Sequence, residues 1–140
     1  MDKHVMIYFR KNDGIYVIPE GVSEAGWIHI EPFYYLPLDA RPEDVWSSIE
    51  KAFESANRKV LDPKAWGGET AWYRKAGVKT WRDFAGKTKT ILGLTQTGDQ
   101  YVFKVSYYDR GRVYSDKETT VKVSKGTGSD VIVASLKKFL

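Results

Sequence analysis

The chain has no cysteine among its 140 residues, which removes disulfides, thiolate metal sites and thiol nucleophiles. Histidine is nearly as scarce. Only His4 and His29 occur, so no His-x-x-x-His metal pattern can be written, and no calcium-loop pattern is present. There is no Gly-x-Ser-x-Gly elbow to expose a serine nucleophile; Gly126-Thr127-Gly128-Ser129 reads as a loop leading into a helix cap. Gly67-Gly68 and the Gly126/Gly128 pair lack the Lys-Ser/Thr that completes a phosphate-binding loop. Long hydrophobic runs are also missing. The apolar run Val5 to Phe9 falls far short of the roughly 18 residues a membrane span needs and is too short for a signal-peptide core. These absences lead to the expectation of a cytoplasmic chain with no cofactor, no metal ion and no catalytic residue.

Aromatic residues, by contrast, are plentiful. They make up 14% of the chain and hydrophobic residues 42%, which argues against disorder and supplies a core for one domain spanning residues 1–140. Charge is unevenly placed. Met1 to Asn57 carries 5 Lys/Arg against 10 Asp/Glu, a balance of −5, whereas Arg58 to Leu140 carries 17 against 8, a balance of +9. Such a split steers charged partners at long range more than it shapes a fold.

The pattern of elements occurs twice, at an offset of 85 or 86 residues. Val5 to Phe53 and Thr90 to Phe139 both read strand, turn, strand, loop, strand, helix, with Tyr16-Val17-Ile18 matching Tyr101-Val102-Phe103, Gly26 matching Gly111 and Phe53 matching Phe139. The expected fold class is therefore α+β: a mainly antiparallel sheet built from two β-β-β-α units (residues 5–57 and 90–140, joined by a connector at 58–89), with helices packed against the sheet.

In the first unit, Val5 to Phe9 is apolar enough for a strand covered on both faces. Asp13-Gly14 signals a hairpin, because glycine tolerates the positive φ of a tight turn. Ile15 to Ile18 returns and is expected to close at Pro19, with Glu20 to Ala25 a polar loop. Trp27 to Glu31 alternates as a strand that Phe33 to Leu38 continues beyond a bend at Pro32. Pro42 suits a first helical position and Glu43 and Asp44 suit the positive end of the helix dipole. Val45, Ile49, Ala52 and Phe53 form the buried stripe, and Asn57 is the expected stop. In the second unit, Ile91 to Leu94 and Tyr101 to Tyr107 form a hairpin, and Arg112 to Ser115 with Thr119 to Val123 supply the third strand region. The closing helix begins at a Ser129 cap and buries Ile132, Leu136 and Phe139.

Three surfaces are candidates for function. The first is acidic and aromatic. Trp27, Phe33, Tyr34, Tyr35, Trp66, Trp72 and Trp81 are more large rings than the helical stripes consume, and Glu20, Glu24, Glu31, Asp39, Glu43 and Asp44 surround the first of them. Rings anchor interfaces at little rotamer cost, and an acidic rim suits a basic protein partner. From this set Glu20, Glu24, Trp27, Glu31, Tyr34 and Asp39 are the expected partner-binding residues. The second surface interleaves rings with cations at Tyr73, Arg74, Tyr108, Arg110 and Arg112, a pattern that could stack on bases and neutralise phosphates of single-stranded nucleic acid. The third is His29 with Glu31 on one strand face. That pair is the one place for acid–base or metal chemistry, but with no third group to orient it a solvated surface pair is the expectation.

Gly77-Val78-Lys79-Thr80-Trp81-Arg82-Asp83-Phe84 fits a Lys-Ser/Thr-Trp-x-x-Phe pattern placed before a C-terminal half that ends in a helix. Over Gly77 to Leu140 the chain resembles a small α+β group of contact-dependent growth inhibition immunity proteins. The resemblance implies a bacterial cytoplasmic protein without enzymatic activity. Such a protein binds and neutralises the toxic C-terminal domain, often a nuclease, of a cognate effector. Lys79, Thr80, Trp81 and Phe84 would then be scaffold, and no binding residue is carried over. Inhibitors of basic nucleases are commonly acidic overall, whereas this chain has a net charge of +4. Either the acidic first part does the binding or the toxin is not a basic nuclease.

Overall fold

Alternating burial along the strands organises the molecule into a sheet with two covered faces. The computed structural model describes residues 2–23, 26–29, 32–56, 84, 88–109, 112–124 and 134, with the backbone alone for residues 23, 26–29, 88–90, 107–109, 112–121 and 124. Its elements run β1 (Lys3–Arg10), β2 (Gly14–Ser23), β3 (Gly26–His29), β4 (Tyr34–Pro37), α1 (Pro42–Ser55), β5 (Thr88–Thr97), β6 (Gln100–Asp109) and β7 (Arg112–Ser124). The strands form one seven-stranded antiparallel sheet in the order β3-β2-β1-β5-β6-β7, with β4 also pairing β2. An α+β fold with a mainly antiparallel sheet is what the sequence patterning led us to expect. The closing helix expected over Ser129 to Phe139 lies outside the described residues.

One face of the sheet carries Val5, Ile7 and Phe9 of β1, Ile15 and Val17 of β2, Leu36 of β4, Leu92 and Leu94 of β5, and Phe103 of β6. Helix α1 covers this face with Val45, Trp46, Ile49, Ala52 and Phe53. Each such aliphatic or aromatic side chain, fully buried, contributes about 1.5–3 kcal/mol. The other face is a smaller cluster of Tyr8, Tyr16, Ile18 and Ile91, against which Phe84 packs from the chain between α1 and β5. β1 is thus buried on both sides, as its unbroken apolar run requires.

Several boundaries differ from the expected ones for identifiable reasons. The left-handed residue of the β1–β2 turn is Asn12, at φ 55°, and not Gly14. Gly14 is needed for close approach instead. A Cβ there would stand 2.4 Å from the Tyr35 ring and 2.5 Å from the Leu36 carbonyl oxygen. β2 does not stop at Pro19. It pairs β4 over Gly14–Val17 and β3 over Glu20–Ser23, leaving Ile18 and Pro19 between the two partners on that edge. A residue without an N–H is tolerated at such an interruption. Glu20 to Ser23, expected in a loop, is therefore strand. The chain after β3 does continue along the same edge of β2, but as the separate strand β4. Helix α1 ends at Ala56, whose extended backbone donates its N–H to the carbonyls of Ala52 and Phe53; Asn57, the expected stop, lies outside the described residues. β7 is one strand, and a register irregularity opposite Phe103 to Val105 absorbs the residues expected to divide it.

Candidate functional site

Among the described residues, the expected partner-binding residues Tyr34 and Glu20 lie on opposite faces of the sheet. Tyr34 pairs with Val17 and is half-buried against the core beneath α1. Glu20 belongs to the opposite face, following Tyr16 and Ile18 at period two along β2, and is half-buried. Asp39 is exposed in the link from β4 to α1. Trp27 sits in β3 in register with Val22, while Glu24 and Glu31 lie outside the described residues. Tyr34 and Asp39 thus border the helix side of the sheet, and Glu20 does not join them.

Helix α1 brings acidic residues together instead. Its apolar stripe faces the sheet, so Glu43, Asp44, Glu50 and Glu54 are turned to solvent, with Asp39 exposed just ahead of the helix. Asp44 is partly neutralised by Arg41, whose Nε donates to its carboxylate at 3.1 Å. Glu50 and Glu54 are spaced one helical turn apart and reinforce one another's field. Sequence reasoning singled out Glu43 and Asp44 but missed Glu50 and Glu54. The signal was available in the helical periodicity that identified the buried stripe.

Apolar exposure is concentrated beside Asp39. Among the described residues the large hydrophobic side chains left exposed are Tyr35 (51%) and Leu38 (49%). Leu38 borders an open hollow of about 290 Å³ that Phe9, Arg10, Lys11 and Asn12 also line. The hairpin end next to it is held rigidly. The Asp13 carboxylate accepts from Arg10 Nη1 at 2.6 Å and from the Tyr16 hydroxyl at 2.7 Å, and its backbone carbonyl accepts from the Tyr35 hydroxyl at 2.8 Å. Burial pushes the Asp13 carboxyl up, but the Tyr16 and Arg10 donors outweigh it and hold the group below its usual range. Arg10 is itself buried and lies over the Phe84 ring at 5.3 Å, and Phe84 meets Tyr8 and Tyr16 edge-on at 5.6 and 5.0 Å. The last residue of the Lys-Ser/Thr-Trp-x-x-Phe pattern is accordingly a core residue, joined through Arg10 to the hairpin.

Glu20 stands out chemically. Burial alone pushes its carboxyl up to about 7, so it titrates near neutrality. His4, on the neighbouring strand, is held below its usual value by burial, partly offset by Asp2, and its Nδ1 lies 3.0 Å from Thr95 Oγ1. Among the described residues no group of three or more His, Cys, Asp or Glu side chains is gathered for a metal ion. Of the pair considered for acid–base work, His29 is placed by its β3 backbone and Glu31 lies outside the described residues. Of the nucleic-acid candidates, Tyr108 and Arg112 are placed by the backbones of β6 and β7, and Tyr73, Arg74 and Arg110 lie outside the described residues. No described helix is long and apolar enough to cross a membrane.

No protein-family model matches the chain, and no curated protein sequence does. Solved structures do match. The fold is similar to that of a protein of unknown function from Neisseria meningitidis, with a TM-score of 0.72 and 15% identity over 98% of this chain and 92% of that one. It is also similar to a chain of the CdiA-CT/CdiI toxin and immunity complex from Yersinia pseudotuberculosis, with a TM-score of 0.73 and 12% identity over 98% of this chain and 94% of that one. At these identities the likeness is one of fold, and it extends over nearly the whole length of each chain.

Proposed function

We propose that this chain is the immunity component of a contact-dependent growth inhibition pair. It binds and neutralises the toxic C-terminal domain, a nuclease, of a cognate effector. The observation that carries this reading is the end-to-end likeness of fold to a chain of a toxin and immunity complex. The Lys79-Thr80-Trp81-x-x-Phe84 pattern supports it independently of the coordinates. The chain acts by occupying a surface of its partner and turns over no substrate.

The surface we assign is the acidic side of the first half. Asp39 and the outward face of α1 supply negative charge and Tyr34, Tyr35 and Leu38 supply apolar anchors, with Glu24, Trp27 and Glu31 proposed as further contacts. Glu20, half-buried on the opposite face, is not part of this surface. A negative surface matches the positive cleft with which a nuclease holds its substrate, and the net charge of the whole chain does not decide the matter because contact is local. The scaffold is two β-β-β-α units. The strand order β3-β2-β1-β5-β6-β7 supports this, since it reads the same outward from the β1–β5 pair in both directions.

Co-purification with the toxic domain encoded beside this chain tests the reading. A stable one-to-one complex is expected. Joint charge reversal at Glu24 and Glu31 should slow association and flatten its salt dependence. Absence of a complex would refute the immunity role, and growth arrest on expressing this chain alone would identify it as the toxic component. A salt-sensitive gel shift with RNA or DNA oligonucleotides, abolished at Arg112, would favour the nucleic-acid surface.

A further inference from the structure

Tyr101 of β6 lies on the α1 side of the sheet, in the cluster that holds Phe103, and is 9% exposed. Two rings of α1 grip it. Trp46 meets it edge-on at 5.3 Å, and Phe53 lies tilted against it at 5.8 Å. Glu50 follows Trp46 by four residues and precedes Phe53 by three, so it stands between them on the side of the helix that meets Tyr101. Glu50 itself is exposed. Burial, and after it the Glu50 charge, raises the Tyr101 phenol above its usual pKa, so the carboxylate is within electrostatic reach of the hydroxyl. Neither group is engaged within the described residues: no hydrogen bond reaches the Tyr101 hydroxyl and no ion pair reaches Glu50. The phenol oxygen is also open to solvent, since among the described residues the side-chain atom both sealed and unpartnered is Arg10 Nε. Lys3 lies in the same row as Tyr101, two strands away through Gln96, and forms no ion pair with Glu50.

We propose that Glu50 and the Tyr101 hydroxyl form a binding site for one arginine side chain of a basic protein partner. A guanidinium is planar and carries N–H donors at fixed angles, so it gives to a carboxylate and to a phenol oxygen at once. A lysine ammonium is more strongly hydrated and lacks that fork. The acceptor oxygen is positioned before binding, because Trp46 and Phe53 hold the Tyr101 ring, and little side-chain freedom is lost when the site fills. The rings also give the arginine stem an apolar border to lie along. The end of α1 adds to the field. Its last turn holds no basic residue, so the partial negative charge of the helix C-terminus is uncompensated, and Glu54 is exposed there. Acidic residues alone attract any cation; the fixed, unengaged hydroxyl beside Glu50 selects one geometry. The naming of the partner as a basic toxic domain rests on the immunity role, whereas the site itself does not.

The site is tested first without the partner. N-acetylarginine amide is titrated into the full chain and followed by amide NMR. Saturating shifts are expected at Glu50 and Tyr101, in the millimolar range of a single side chain. N-acetylcitrulline amide, which has the same shape without the charge, should produce none. Glu50→Gln and Tyr101→Phe should each weaken arginine binding about tenfold with unchanged far-ultraviolet circular dichroism, the second by removing one oxygen and keeping the ring. No saturable shift would overturn the proposal, and so would equal shifts from citrulline or equal affinity in the parent and both variants. With the toxic domain encoded beside this chain, each substitution should raise the dissociation constant about tenfold, and double-mutant cycles should couple both to the same arginine of that domain. A complex that forms and is indifferent to both substitutions would overturn the proposal and leave the immunity role standing. Failure of the parent to form a complex would count against that role, and the arginine titration would still decide the site.

Discussion

Asp13 does more to fix the first hairpin than the glycine beside it. Its carboxylate ties Arg10 and Tyr16, and its carbonyl ties Tyr35, so three strands meet at one turn residue. Removing one member of a largely buried ion pair strands the other, and Asp13→Asn should cost about 2 kcal/mol at neutral pH by urea unfolding. The pH dependence follows from the direction of its shift. The folded-state carboxyl lies below the ordinary value of 3.8, so its stabilisation is complete above that value and disappears as pH falls through the lower folded one. Parent and Asp13→Asn stabilities should therefore converge in strong acid, and a constant gap would contradict the assignment. Gly14→Ala should cost about 1–3 kcal/mol through the clash with the Tyr35 ring and the Leu36 carbonyl. Tyr35→Ala should not restore the loss, because the carbonyl remains. Neither effect is legible in the residues alone. Asp-Gly signals a hairpin, but which residue takes positive φ and which is crowded depends on β4 arriving from more than twenty residues away.

Helix α1 was legible almost completely, because its evidence is local. Pro42 at the first position, Glu43 and Asp44 in the first turn, and the stripe Val45, Ile49, Ala52 and Phe53 need no knowledge of the rest of the chain. The strands were legible in kind but not in extent. Pro19 breaks a strand only where its N–H is required, and the handover from β4 to β3 removes that requirement. Period two likewise says that Glu20 and Tyr34 each take a face, but only the register shows that these faces are opposite. The element carrying the acidic surface is accordingly α1, which leads to a prediction about kinetics. Glu50→Lys with Glu54→Lys should reduce the association rate with the toxic domain about tenfold at low salt and change folding stability little, as read by stopped-flow mixing and thermal unfolding. An unchanged rate would place the contact on another element.

Across the whole molecule, the sheet separates two regions with different duties. The face under α1 is the main core, and the solvent side of that helix is negative. The opposite face holds the Tyr8, Tyr16, Ile18, Phe84 and Ile91 cluster. Charge is segregated along the chain as well, with −5 in the first 57 residues and +9 in the rest, so the molecule can orient a charged partner before contact. The proposed immunity role would use this polarity to dock a toxic domain; the likeness to a chain of a toxin and immunity complex is itself one of fold. The central claim is protection, and it is tested most directly by growth. Bacteria induced to make the toxic domain encoded beside this chain should stop dividing, and co-expression of the chain should restore growth to the uninduced rate. Growth that stays arrested while both proteins accumulate in folded form would contradict it.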